Sequence, residues 1–225
     1  TIQNGSADYG GGIYIHDAGP TLKYLVIRNN VAGDSPQGGG GIGIEGIYEQ
    51  TDKLTKIFNC LFYDNQAGRG QAIKSQDYTG LQIIQSTFFN NTVVDSFSNF
   101  YEYTINGTNN IFWGNDNILQ GSSNFSFSYS NIQGGYEGEG NIDSDPLFVD
   151  ADNDDYHLSD YSPAIGAGTA TGAPSKDIDG TTRPSPSDSD PDMGAYENSL
   201  ASQRPKAGTI ADGLSTDVDW SNSSS

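Results

Sequence analysis

The chain has 225 residues, of which 29 are acidic and 10 basic, for a formal net charge of −19. This acidity argues against binding to nucleic acid, because neutralising phosphates requires clustered Lys and Arg, and it argues equally against docking on anionic lipid. No apolar run is long enough to span a membrane, and the single cysteine, Cys60, excludes an internal disulfide.

Short apolar segments that end at an asparagine recur along the first part of the chain. Four of them end at Asn30, Asn65, Asn91 and Asn115, so successive asparagines are 35, 26 and 24 residues apart. Glycine runs precede the first two, at Gly10–Gly12 and Gly38–Gly41, with a weaker echo at Gly70. Repeats of this length are typical of stacked architectures.

Each repeat is interpreted as a glycine turn, a short strand, a variable loop, a second strand and an asparagine turn. Strands of this kind are rich in Ile, Val, Phe and Tyr and are bounded by Gly, Asn and Asp. No sustained helical period appears, so helices are expected to be few and short. The alternative is a meandering β-sandwich whose Asn turns coincide by chance.

The asparagines have a physical role in the stacked interpretation. Asn tolerates the left-handed backbone of a sharp turn, and Asn side chains stacked at strand spacing can hydrogen-bond to one another. We therefore expect the four asparagines to form one column. Phe62, Phe88 and Phe112 should form a second column inside the stack.

The repeating pattern of the sequence ends near Asn141, and a different series of motifs begins. Four motifs follow in order: Asp145-Pro146-Leu147-Phe148, Ser162-Pro163-Ala164-Ile165, Asp177-Ile178-Asp179-Gly180 with Arg183-Pro184, and Asp192-Met193-Gly194-Ala195-Tyr196-Glu197. Residues 104–197 thereby resemble the C-terminal end of bacterial right-handed parallel β-helix proteins with the pectin-lyase-like fold, of the type called choice-of-anchor Q.

The resemblance implies an all-β protein: a right-handed parallel β-helix, or solenoid, with an irregular C-terminal cap. We predict β-helix coils over residues 1–140, with earlier coils missing, then a last coil and cap over 141–197. Residues 198–225 are expected to be a linker and the start of an Ig- or fibronectin-III-like module. The cap should cover the otherwise open last coil, with six apolar side chains as its plug: Leu147, Phe148, Leu158, Ile165, Met193 and Tyr196.

Two acidic clusters follow the coils. Asp150, Asp152 and Asp154 alternate as calcium ligands do, although the EF-hand glycine and glutamate are absent; the alternative is an acidic turn before a strand. Calcium is thus the cofactor that the sequence suggests. The second cluster is Asp177, Asp179, Asp190 and Asp192, for which capping of turns by backbone N–H bonds is favoured over a metal.

Aromatic residues of the variable loops suggest a ligand. Tyr48, Tyr78, Tyr101 and Tyr103 lie in or near these loops and would form a carbohydrate-binding strip if the loops share one face. Arg69 and Lys74, flanked by Asp64 and Asp77, are the basic group closest to a catalytic arrangement. No residue is assigned a catalytic role, because no motif of a known catalytic site is present.

The leading interpretation is a non-catalytic structural or adhesive module of a large exported bacterial surface protein, located outside the cell. Its partners would be glycans or neighbouring modules, with no nucleic acid and no membrane insertion. The alternative is a polysaccharide lyase or glycoside hydrolase that acts on acidic polysaccharide.

Overall fold

The computed structural model describes residues 1–33, 38–46, 53–67, 72–76, 79–91, 104–115 and 124–205. Within these ranges the regular elements are 19 β-strands and one short 3-10 helix, Ala151–Asn153. The described part of the chain is therefore all-β, as the sequence predicts. It contains no helix with the length and apolarity needed to cross a membrane.

The strands are short, as expected for segments bounded by Gly and Asn. In chain order they are β1 Ile2–Gln3, β2 Ser6–Ala7, β3 Ile13–His16, β4 Thr21–Lys23, β5 Val26–Arg28, β6 Val31–Ala32, β7 Ile42–Glu45, β8 Lys53–Phe58, β9 Leu61–Tyr63, β10 Gln66–Ala67, β11 Ile73–Gln76, β12 Thr79–Ile84, β13 Thr87–Phe89, β14 Thr104–Thr108, β15 Ile111–Trp113, β16 Asn124–Ser128, β17 Asn131–Ile132, β18 Phe148–Asp150 and β19 Asp155–Leu158.

Four parallel sheets account for all but two of these strands. Sheet A has the order β1-β5-β9-β13-β15-β17, sheet B β10-β6-β2, sheet C β11-β7-β3 and sheet D β16-β14-β12-β8-β4. Along the chain, strands of sheets C, D, A and B follow one another and then recur. Strands β18 and β19 form a separate antiparallel pair. The mostly parallel pairing is compatible with a β-helix.

The sequence repeat and the strand register coincide. Phe62 pairs with Phe88, and Phe88 pairs with Phe112, in neighbouring strands of sheet A. Their rings stack with centroids 4.6 and 4.9 Å apart, and all three side chains are fully buried. The predicted internal aromatic column is confirmed, and it forms the centre of the main core.

The predicted asparagine column is also confirmed. Asn30 Nδ2 donates to Asn65 Oδ1 at 2.9 Å, and Asn65 Nδ2 donates to Asn91 Oδ1 at 2.9 Å. The backbone N–H of Asn91 donates to Asn115 Oδ1. The left-handed backbone falls one residue earlier than expected, at Asn29, Asp64, Asn90 and Gly114. Each turn thus faces its left-handed residue outward, with a side chain at Asn29, Asp64 and Asn90 and none at Gly114, and turns the next asparagine into the stack.

The end of the stack after β17 is covered by residues 133–143. Tyr136 packs on the core edge-to-face with Phe127, with ring centroids 6.1 Å apart. Ile142 forms a parallel bridge with Asn131, so the chain adds one further strand-like contact before it leaves the stack. This cover comes earlier in the chain than the expected plug.

Five of the six side chains expected to plug the end lie elsewhere. They pack on the outward side of sheet A, in two apolar clusters around Ile111 and around Leu61 and Tyr63; these five are Phe148, Leu158, Ile165, Met193 and Tyr196. The physical reason is that sheet A carries apolar side chains on both faces, and the outward ones need burial as well. We call residues 145–200 the covering segment, because they fold back along this sheet.

Polar contacts attach the covering segment to the corner between sheets D and A. Arg183 Nη1 donates to Asn59 Oδ1 at 2.7 Å, and Arg183 Nε donates to Glu197 Oε2 at 2.7 Å, with both members of the ion pair fully buried. Gln85 Nε2 donates to the Asp192 carbonyl at 2.7 Å, and Asn109 Nδ2 to the Thr169 carbonyl at 2.7 Å.

The turn-capping interpretation holds for two aspartates of the second cluster. Asp177 Oδ1 accepts backbone N–H bonds from Asp179 and Thr181. Asp192 accepts them from Gly166 and Asn198. The stretch after residue 197, expected to be a linker, is attached as far as Arg204, whose N–H donates to the Asp160 carbonyl at 2.7 Å. Residues 206–225, where a further module was predicted, lie outside the described residues.

Candidate ligand-binding face

The side of the stack formed by sheet B and by the turns that lead into it from sheet A carries an open polar groove. Its volume is about 680 Å³. The groove runs along the turns that join sheet A to sheet B and along the sheet B strands that follow. Its described lining residues are Asn29, Val31, Ala32, Asp64, Asn65, Gln66, Ala67 and Asn90.

The turn geometry explains why the groove is polar. Asn29, Asp64 and Asn90 occupy the left-handed position on three successive repeats, with φ angles of 51°, 53° and 50°. Short polar side chains tolerate this conformation best. Because the next residue turns inward to the asparagine column, these three side chains point out, and Asn90 Nδ2 donates to Asp64 Oδ1.

The groove can both donate and accept hydrogen bonds. Each amide side chain offers two N–H donors and a carbonyl acceptor. Asp64 is the one ionisable side chain among the described lining residues. This set suits a ligand with many hydroxyl groups, and it offers no cation to attract a polyanion.

An aromatic patch lies on the first strand of sheet C, β3, and on the turn that precedes it. Tyr9 and Tyr14 are 48% and 41% exposed, with ring centroids 5.7 Å apart. The ring of His16 lies 6.2 Å from that of Tyr14. Tyr14 Oη donates to Glu45 Oε2 on the neighbouring strand β7. Partial burial, and next this hydrogen bond, raise the pKa of Tyr14 to about 12.

The sequence prediction did not single out Tyr9 or Tyr14 as binding residues, although a signal for Tyr14 was present. In Gly12-Ile13-Tyr14-Ile15-His16 the apolar and polar residues alternate. Such alternation places Ile15 inward, and Tyr14 and His16 on the outer face of a half-buried strand. The burial of Ile15 and the exposure of Tyr14 agree with this pattern.

The proposed calcium ligands are all exposed, but their carboxylates have different neighbours. Asp154 Oδ2 accepts from Arg28 Nη1 at 2.6 Å, and Asp150 Oδ2 accepts from Asn153 Nδ2 at 2.8 Å. Asp152 lies between them in the 3-10 helix. In the described ranges no three His, Cys, Asp or Glu side chains converge closely enough to hold a metal ion.

The predicted tyrosine strip and part of the predicted basic group fall outside the part of the chain that the structure describes. Tyr48, Tyr78, Tyr101 and Tyr103 lie outside the described residues, as do Arg69 and Asp77. Lys74 is described and is only 1% exposed.

His157 lies on the outer surface of the covering segment, between two carboxylates. His157 Nδ1 lies 2.6 Å from Asp155 Oδ1, and Nε2 lies 2.9 Å from Asp179 Oδ2. Burial alone would lower the pKa of His157, but the two carboxylates outweigh it and the pKa is raised. This arrangement joins β19 to the turn at Asp177–Gly180.

Comparisons with known proteins leave the geometry as the guide to function. No protein-family model matches the chain, and neither a curated protein nor a solved structure matches it.

Proposed function

We propose that this chain is a right-handed parallel β-helix that serves as a non-catalytic structural or adhesive module of a large exported bacterial surface protein. It binds glycan through the groove beside sheet B. Two observations support the β-helix assignment. The strands of four parallel sheets follow one another in a repeating order along the chain, and two columns of side chains stack across the repeats.

The observation that carries glycan binding is the groove itself. Three successive repeats supply outward polar side chains at the same position, so the groove presents a regular row of hydrogen-bonding groups. A polymer of repeated hydroxylated units matches a row of this kind better than a small compact ligand does. Ligand sites are concave and bind through a few well-placed polar groups.

The lyase or hydrolase alternative has less support. A lyase needs a base that reaches the polymer, and the described member of the predicted basic group, Lys74, is 1% exposed. A hydrolase needs two carboxyl groups about 5–10 Å apart across the scissile bond, whereas the described groove lining supplies Asp64 alone.

Calorimetric titration with hexasaccharides tests the groove. Gln66→Ala removes an exposed amide from the groove and should weaken binding by about tenfold. Gln203→Ala, at an exposed position outside the groove, is the matched control and should leave the affinity unchanged. Equal affinities for the two variants and the unaltered chain would contradict glycan binding in the groove.

A second assay addresses catalysis. The chain should release neither unsaturated products nor reducing ends from pectate, alginate or neutral glycans, with or without calcium. Turnover that is abolished by Lys74→Ala or Arg69→Ala would favour the enzyme instead.

A further inference from the structure

The aromatic patch on sheet C is built as a row. Tyr9, Tyr14 and His16 place three exposed rings in succession, with centroid spacings of 5.7 and 6.2 Å. These spacings are comparable to the length of one hexopyranose unit. Exposed single aromatics are ordinary on protein surfaces, but here three neighbouring rings lie on one repeat. Successive rings are tilted by 40° and 41° to each other, so each ring offers its own face to a sugar ring.

Glu45 holds the middle ring in place. Its carboxylate, on strand β7, accepts a hydrogen bond from the Tyr14 hydroxyl on β3, so the rotation of the tyrosine is restricted before any ligand arrives. Ordering a side chain in advance lowers the entropy cost of binding. The carboxylate also has further lone pairs to accept a ligand hydroxyl.

The charge around the patch restricts the ligand. Glu45 adjoins the rings, Asp64 lies in the nearby groove, and the whole chain carries a net charge of −19. A polymer of uronate units would be repelled, because like charges in one region raise the free energy of association. Aromatic faces attract apolar C–H groups or cations instead.

The patch and the groove are close along the chain. Tyr9 follows strand β2, which pairs with β6, and β6 contributes Val31 and Ala32 to the groove. The patch therefore lies on the next side of the stack, on the repeat that precedes the strands of the groove.

We propose that Tyr9, Tyr14 and His16 form a stacking subsite for a pyranose ring that carries no negative charge. This rests on the proposed glycan binding and specifies its ligand: a neutral or amino-bearing polysaccharide, in contrast to the acidic polysaccharide of the lyase alternative.

Titration of three hexasaccharides tests the subsite: a neutral glucan, a glucosamine oligomer and an oligogalacturonate. The first two should bind, and the oligogalacturonate should bind at least about tenfold more weakly. Tyr14→Ala should weaken the binding of both good ligands by about tenfold. Tyr161→Ala, which removes a tyrosine of similar exposure (43%) on the covering segment, should have no effect.

Further variants separate the ring from the hydrogen bond. Tyr14→Phe keeps the ring and should retain most of the affinity, while Tyr9→Ala should lose it as Tyr14→Ala does. Equal or tighter binding of the oligogalacturonate, failure of all three sugars to bind, or full affinity in both alanine variants would each overturn the subsite.

The two sites fail in different ways. If Gln66→Ala weakens binding but Tyr9→Ala and Tyr14→Ala do not, the groove binds glycan and the stacking subsite is wrong. If the tyrosine variants weaken binding while Gln66→Ala does not, the subsite stands without the groove.

Discussion

The outward faces of sheets A and C differ in what covers them. Sheet A presents Leu61, Tyr63 and Ile111, all buried beneath the covering segment. The first strand of sheet C presents Tyr14 and His16, both exposed. Both sheets have the same parallel construction, but sheet C is open at its first strand and not at its third, because Lys74, in the same outward register position as Tyr14, is 1% exposed. The surface that a ligand can reach on sheet C is therefore the outward side of β3.

The difference also appears in the polar contacts. Around sheet A the polar groups are buried and paired, as in the contact of Arg183 with Glu197 and Asn59. Beside sheet B they are exposed, with Asn29 and Gln66 facing the groove. Substitutions on the covered side should therefore affect stability, and those on the open side should affect binding.

The largest effect is expected at Arg183, which attaches the covering segment. Arg183→Met leaves Glu197 buried without its cation, which should cost about 3–5 kcal/mol of unfolding free energy. Urea unfolding measures the loss. Arg204→Met is the control, because the Arg204–Asp160 pair is exposed and should be worth less than about 1 kcal/mol. Similar losses for both variants would contradict a buried attachment.

The next effect is expected within the asparagine column. Asn65→Ala removes the acceptor of Asn30 and the donor to Asn91, and so leaves buried polar groups unsatisfied. The cost should be about 1–3 kcal/mol in urea unfolding. Gln66→Ala, one residue along but exposed, should change stability by less than about 0.5 kcal/mol. A larger loss at Gln66 than at Asn65 would be inconsistent with the column.

A pH dependence is expected on the covered side. Burial, and next the nearby Glu197, raise the pKa of Asp192 to about 7. The folded chain then holds a proton that the unfolded chain releases near pH 4, so this contribution to stability is lost as the pH rises through about 7. The raised pKa of His157 acts in the same direction, since its protonated form is favoured in the folded chain. The urea midpoint of unfolding should fall from acidic to weakly alkaline pH. Asp192→Asn should make the midpoint depend less on pH. A midpoint that rises with pH over this range would refute the prediction.

The smallest effect concerns calcium at the edge of the covering segment. Calcium should relieve repulsion in this acidic chain and raise the melting temperature by about 2–4 °C, equivalent to roughly 1 kcal/mol. At matched ionic strength general screening is equal, so any rise that remains should come from the acidic turn. The double variant Asp150→Asn/Asp152→Asn should abolish that remaining rise while it preserves the Arg28–Asp154 pair. Equal midpoints in EDTA and in calcium at matched ionic strength would argue against a specific site.

Repetition is why much of the fold could be predicted. The spacings of 35, 26 and 24 residues fix which strands pair, so the register of sheet A and both side-chain columns follow from the sequence. A slip of one residue would turn every inward Phe outward. Repetition also identifies the glycine run at Gly38–Gly41. The structure shows why glycine is needed at Gly41: a Cβ there would lie 2.5 Å from the Ala72 carbonyl oxygen.

The path of the covering segment could not be predicted in this way. Its sequence has no period, and its contacts join residues more than a hundred positions apart, such as Arg183 and Asn59. One local signal existed: Leu61 and Tyr63 flank the inward Phe62, and a strand that is apolar on both faces is typical of burial on both sides. The groove escaped prediction because it depends on the left-handed residue that precedes each column asparagine.

The way the covering segment crosses the repeats has a consequence for cooperativity. A stack whose repeats contact only their neighbours can open from its ends, one repeat after another. Here the covering segment is hydrogen-bonded to three different repeats. Asp154 contacts Arg28, Arg183 contacts Asn59, and Thr169 contacts Asn109. A single repeat can then open only if the covering segment detaches from it. Amide protons of β5, β9, β13 and β15 should therefore exchange with one common free energy of opening, in place of a gradient along the stack.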